Sequence, residues 1–112
     1  MKYTKKYKDI KNSKMAFIDE GSGDTFLFLH GNPTSSFLWR NIAPHVEDIG
    51  RIVIPDLIGM GDSDKLEGVD NPGYKYHGQY SYLTALMDEL DLGNNIHLII
   101  HDWGSAMGFQ FA

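Results

Sequence analysis

Three short runs are apolar at nearly every position, and they restrict the fold of this chain more than anything else in it. Thr25-Phe-Leu-Phe-Leu29, Arg51-Ile-Val-Ile54 and Ile96-His-Leu-Ile-Ile100 show no regular alternation of apolar with polar residues. A strand with one face in water alternates with a period of two, whereas a strand covered on both faces does not. Gly21-Ser-Gly-Asp24 and His30-Gly-Asn-Pro-Thr34 bound the first run, and Pro55 stops the second. A Gly/Asp-rich loop runs from Gly59 to about Gly73. The spacing of Tyr80, Leu83, Leu86, Met87 and Leu90 then predicts a helix over 76–90, closed by Gly93. Ser35 or Ser36 can cap a short helix carrying Phe37, Leu38, Trp39 and Ile42. Strand and helix alternate up to a last helical pattern from Gly104 onward, which means parallel pairing with right-handed crossovers. The expected class is α/β: a mostly parallel sheet preceded by an antiparallel pair, Lys6–Ile10 and Lys14–Asp19.

The chain's 112 residues are one domain's length, and there is no cysteine for disulfides or thiolate metal sites. Six of the ten basic residues (Lys2, Lys5, Lys6, Lys8, Lys11 and Lys14) lie in the first fourteen positions, beside one acid, Asp9. Tyrosines interleave them and no Arg is present, which suits the solvated edge of a first strand pair. The rest of the chain is strongly acidic and argues against nucleic acid as a partner. The start, Met1-Lys-Tyr-Thr-Lys-Lys6, has no apolar signal region, and no stretch has the length of a membrane span. The cytoplasm is therefore the expected location.

Residues 1–112 read as the front part of a longer core domain. The sequence stops at Gly-Phe-Gln-Phe-Ala112 inside an apolar helical pattern, and the Ile96–Ile100 strand would be left at an edge. Apolar edges of that kind aggregate, so the isolated segment is expected to be poorly soluble and to need the remainder of its own chain.

A buried strand entering a tight turn and then a helix puts the turn residue at the carboxyl end of the sheet, where open α/β sheets bind ligands. With Ser at that turn, the arrangement is a nucleophile elbow. Here the residue is Asp102, followed by Trp103 and by Gly104, which permits close helix–strand packing. An Asp against a helix N-terminus stays ionised, and its carboxylate can displace a good leaving group from saturated carbon. Taken alone, Asp102 also fits a plain helix N-cap.

Three stretches decide between these readings. His30-Gly-Asn-Pro-Thr-Ser-Ser-Phe-Leu-Trp-Arg40, Asp56-Leu-Ile-Gly-Met-Gly-Asp-Ser63 and His101-Asp-Trp-Gly104 together resemble the haloalkane dehalogenases of the α/β-hydrolase superfamily. The resemblance runs from about residue 14 to the end and keeps order and spacing. It implies that Asp102 attacks the halogen-bearing carbon to form a covalent alkyl ester, while Asn32 and the indole N–H of Trp103 hold the departing halide. A halide leaving into a dry pocket needs donors where its charge develops. Trp is a pure donor and Asn carries an NH₂. The main-chain N–H groups of Asn32 and Trp103 would form the oxyanion hole for ester hydrolysis. The reaction takes a small halogenated alkane and water to a primary alcohol and halide, without a cofactor. The same pattern requires a His base, an acid and a helical cap, all following the nucleophile in chain order. Residues 1–112 alone are thus expected to be alkylated without turning over.

His30, Gly31, Pro33 and Gly104 are read as structural neighbours of the site. His30 should hydrogen-bond within its own loop rather than act as a base, and His101 should point away from the pocket. His45, His77 and His97 are read as surface or packing residues. Trp39 should pack its helix on the sheet, and Asp56 should form a turn by accepting from backbone amides. No His or carboxylate spacing suits a metal, and Gly59-Met-Gly61 lacks the Lys and helix of a phosphate loop. Related patterns stay open. Epoxide hydrolases share Asp-Trp-Gly but usually carry an aromatic residue where this chain has Asn32. Coelenterazine luciferases share both Asn and Asp-Trp-Gly. Fluoroacetate dehalogenases place Arg where Trp103 stands. A non-catalytic binding module on the same fold is the alternative from outside enzyme chemistry.

Overall fold

The computed structural model describes residues 4–31, 35–39, 41–66, 76–93, 95–101, 104 and 107. Among them, strands β1 (Lys6–Ile10), β2 (Ser13–Glu20), β3 (Thr25–Leu29), β4 (Arg51–Pro55) and β5 (Ile96–Ile100) form one sheet. Its order is β1-β2-β4-β3-β5. The β1–β2 and β2–β4 pairs are antiparallel, while β3 pairs in parallel with both β4 and β5. This is the mixed α/β sheet expected, with the antiparallel pair on one side.

The first hairpin turns through Lys11 and Asn12, both with positive φ (52° and 67°), so that Ile10 faces Ser13. A two-residue turn with both φ positive matches the right-handed twist of the flanking strands. Ser13 is therefore the first residue of β2 rather than part of the turn. Pro55 also falls inside its strand, opposite Phe17. Proline has no N–H to give the ladder, and the next residue continues the pairing, with Asp56 N–H donating to Ala16 O at 2.8 Å.

The core lies on both faces of β3 and β4. On one face Leu27, Leu29 and Val53 meet Leu83 and Met87 of α1 (Tyr76–Leu90), together with Leu92 and Met107. On the other, Phe28, Ile52 and Ile54 meet Ile18, Trp39 and Ala43. The Phe28 and Trp39 rings are tilted at 59° with centroids 5.5 Å apart. Each such side chain contributes about 1.5–3 kcal/mol by leaving water. Trp39 thus packs on the sheet, as its sequence context suggests.

Three local expectations change. The single helix over 35–42 is instead two 3₁₀ turns, Ser36–Trp39 and Ala43–His45, held by i to i+3 bonds such as Ile42 N–H to Trp39 O at 3.0 Å. Pro44 opens the second turn, and a proline disfavours α-helical backbone at the residue before it. Ile42 ends up exposed. The second change is at the end of α1, where the left-handed residue is Asp91 (φ 49°) rather than Gly93 alone. Arg51 supports that end, donating to Leu90 O at 3.0 Å and Asp91 O at 2.9 Å while its guanidinium forks onto Asp19 at 2.7 Å. The bonds to Asp19 raise the Arg51 pKa against the opposing effect of burial. The third change is that β5 is half-buried rather than fully buried. It is the last strand of the sheet, so only β3 flanks it among the described residues.

Candidate active site

The parallel strands β3, β4 and β5 deliver His30, Asp56 and His101 to the same end of the sheet. That carboxyl end is where an open α/β sheet places its ligand. Gly104 sits there in helical backbone. A Cβ built on it would stand 2.3 Å from Leu29 O and 2.7 Å from His30 O, both backbone atoms. Only glycine lets the helix start come this close to β3. Gly104 N–H donates to His101 O at 2.9 Å, tying it to the residue that follows β5.

His30 is fully buried. Its Nδ1 lies 2.6 Å from Gly31 O, and its Nε2 lies 2.9 Å from Leu57 N. A carbonyl only accepts and an amide N–H only donates, so Nδ1 carries the proton and Nε2 accepts. Burial pushes the His30 pKa down, against smaller raising effects from the Gly31 bond and Asp56. A neutral ring with both nitrogens engaged is a brace, not a base. It also reaches further than expected, tying the loop after β3 to the loop after β4.

That second loop is laced to β2. Ser63 Oγ accepts from Ala16 N–H at 2.9 Å and donates to Asp56 O at 2.7 Å. Asp64 accepts from Lys14 N–H through Oδ2 and returns a backbone bond to Lys14 O, each 2.8 Å. Asp56 is fully buried and accepts from Asp62 N–H at 3.1 Å, the turn-forming role expected of it. Gly61 has φ +54°, and a Cβ there would lie 2.5 Å from the Asp56 carboxylate carbon. Asp56 has a second partner that sequence reasoning missed. Lys5 Nζ lies 2.5 Å from Asp56 Oδ2 and 2.8 Å from Asp62 Oδ2. Lys5 therefore does not belong to a freely solvated basic edge. Desolvation opposes its charge, but the bonds to Asp56 and Asp62 outweigh it and raise its pKa. Nothing local in the sequence signals this pair, because 51 positions separate its members.

Asp102, Trp103, Asn32 and Pro33, the expected nucleophile, halide donors and loop proline, lie outside the described residues, as does most of the helix from Gly104 onward. Their described neighbours Gly31 and Gly104 are both buried at the carboxyl end of the sheet. His101, His45 and His77 are exposed. His97 stacks on Phe26 at 4.6 Å with its ring 3.8 Å from Asp24. Among the described residues, no group of three His or acidic side chains could hold a metal, and no helix is long and apolar enough to cross a membrane.

Residues 24–112 match the family described as the alpha/beta hydrolase fold, and the chain belongs to that family. Within it, this chain is similar to haloalkane dehalogenases. It is 55% identical to the one from Mycolicibacterium smegmatis over 95% of its own length, and 56% identical to the one from Sphingobium indicum over 96%. It spans 34% and 36% of those relatives, about a third of their length. Among solved structures, the DbeA-M1 loop variant of the haloalkane dehalogenase from Bradyrhizobium elkanii superposes with a TM-score of 0.86 at 40% identity, covering 97% of this chain and 35% of that one. The crystal structure of DBJA superposes with a TM-score of 0.87 at 34% identity, covering 99% of this chain and 36% of that one.

Proposed function

We propose that this chain forms the nucleophile-bearing part of a haloalkane dehalogenase. The observation that carries this reading is the seating of Gly104 on Leu29 O and His30 O. Trp103 is covalently next to Gly104, and Asn32 is next to Gly31, which follows His30. The two described segments that lead in sequence to Asn32 and to Asp102-Trp103 thus meet at the carboxyl end of the sheet. The similarity to haloalkane dehalogenases over nearly the whole chain supports the same assignment.

In this reading a carboxylate oxygen of Asp102 attacks the halogen-bearing carbon. The carbon–halogen bond breaks as the carbon–oxygen bond forms. The halide leaves toward the Asn32 NH₂ and the Trp103 indole N–H, whose fixed dipoles meet the charge as it develops. Water then cleaves the Asp102 ester, with its oxyanion held by the main-chain N–H groups of Asn32 and Trp103. The base that takes the water's proton follows the nucleophile in chain order. His30 is unsuited to that task because both of its nitrogens are engaged. The products are alcohol, halide and a proton.

The test is halide release from 1,2-dibromoethane or a 1-halobutane by the whole protein, with Asp102→Asn as the comparison. Turnover that vanishes in Asp102→Asn supports the assignment. Undiminished halide release by that variant refutes it, and light emission with coelenterazine in place of halide release would reassign the site. Residues 1–112 alone should gain the mass of one alkyl group on incubation with a 1-haloalkane and then stall.

A further inference from the structure

An unbroken series of contacts runs from before the first strand to the loop after β3. Lys5 Nζ holds Asp56 Oδ2 at 2.5 Å. Asp56 is bonded covalently to Leu57, whose N–H donates to His30 Nε2 at 2.9 Å. His30 Nδ1–H reaches Gly31 O at 2.6 Å, and Gly31 immediately precedes Asn32. We propose that Lys5 is a positioning residue, whose grip on Asp56 sets the Leu57–His30–Gly31 bridge, the segment that leads in sequence to Asn32, the proposed halide donor. The last step rests on the dehalogenase reading above, while the bridge itself does not.

Two physical points favour positioning over bare stability. Replacing a buried ion pair by apolar residues of similar volume is often neutral or stabilising, so such a pair is weak evidence of a stability device. This one is also held in a single arrangement. Asp62 N–H lies on Asp56 Oδ2, Gly61 leaves no room beside the carboxylate, and Lys5 is shared with the Asp62 carboxylate. The second point concerns His30. Asp56 favours a proton on the His30 ring and Lys5 disfavours it. With Lys5 absent, the Asp56 charge would act unopposed by Lys5 to raise the His30 pKa, against the larger lowering effect of burial. Any added proton would fall on Nε2, the acceptor for Leu57 N–H. The pair as a whole therefore perturbs the ring less than the carboxylate alone.

The experiment compares Lys5→Met, Lys5→Arg and the neutral pair Lys5→Met/Asp56→Asn with the parent in the whole protein. Bromide affinity is followed by quenching of tryptophan fluorescence, and the His30 imidazole by its ¹⁵N signals. Lys5→Met should weaken bromide binding about tenfold, which is about 1.4 kcal/mol. It should also shift the His30 Nε2 signal toward the protonated form. Lys5→Arg should restore both, and the neutral pair should restore the Nε2 signal. A folded Lys5→Met protein with both readouts unmoved overturns the proposal. If Lys5→Met does not fold, the neutral pair decides: bromide affinity equal to the parent overturns it, and weaker binding supports it. If the parent binds no bromide and Asn32→Ala changes nothing, the dehalogenase reading has failed. The His30 signal then judges the bridge alone, an unmoved signal in Lys5→Met counting against it.

Discussion

Strands β3 and β5 are written in nearly the same way and end up differently. Both are five residues long and strongly apolar, they pair in parallel from Thr25↔Ile96 to Leu29↔Ile100, and each is followed by a histidine. Yet Leu27, Phe28 and Leu29 are wholly buried, while Ile96, Leu98, Ile99 and Ile100 are each half-buried. His30 is sealed between two backbone partners, and His101 is exposed. The local sequence specifies a strand, but burial is decided by what stands on either side of it. β3 has β4 on one side and β5 on the other, whereas β5 is flanked among the described residues by β3 alone.

The largest effect should come from shortening the matched pair of final residues. Leu29→Ala removes a fully buried side chain and is expected to cost about 3–4 kcal/mol, within the usual range for such truncations. Ile100→Ala should cost clearly less, because its side chain keeps part of its contact with water. Denaturant midpoints measure both, and equal costs would break the comparison.

Next in size is the backbone contact at the end of β3. Gly104→Ala puts a methyl group 2.3 Å from Leu29 O, where neither partner is a flexible side chain. Overpacking of this kind is expected to cost about 2–3 kcal/mol. Gly93→Ala serves as the control, since nothing lies within 4 Å of its added carbon, although its φ of +80° still carries some strain. A Gly104→Ala protein as stable as Gly93→Ala would remove the tight seat on which the site reading rests.

Smaller again is the brace beneath the central strands. Asp19→Asn leaves the Arg51 guanidinium without its forked partner, and hydrogen bonds to charged groups contribute about 1.5–3 kcal/mol. Both side chains keep some contact with water, so a loss of about 1.5 kcal/mol is expected in thermal or denaturant unfolding. A loss as large as that of Leu29→Ala would place the centre of stability in this brace instead of in β3.

What could be read in the sequence divides along the same line. The bounds of β3, α1 and β5 were legible because an unbroken apolar run and a 3.6-residue period are local signals. So was Gly104, since a glycine directly after a strand-turn motif has few other reasons to be there. The edge position of β5 was legible from the order of the elements, whereas how far each of its side chains is covered was not, because that depends on what packs on its faces. The Lys5–Asp56 contact and the Leu57 partner of His30 were equally hidden, spanning 51 and 27 positions respectively. Pro44 was visible, and its effect of splitting one expected helix into two 3₁₀ turns could have been foreseen from the constraint it places on Ala43.

The smallest expected effect concerns the two histidines themselves. Burial holds the His30 pKa below its ordinary value, so the unfolded chain takes up a proton at a pH where the native ring still refuses it. Stability is therefore complete above the unfolded value near 6.5 and is lost progressively as the pH falls below it, toward the lower native value. Between pH 7 and pH 6 the His30 contribution should be below about 1 kcal/mol, visible as a falling denaturant midpoint. His30→Gln should flatten that slope, because an amide can accept from Leu57 N–H and donate to Gly31 O without titrating. His101→Gln, a change at an exposed position, is the control. If His101→Gln flattened the slope and His30→Gln did not, the ends of β3 and β5 would have exchanged roles, and the sealed histidine would not be the one that the strand order predicts.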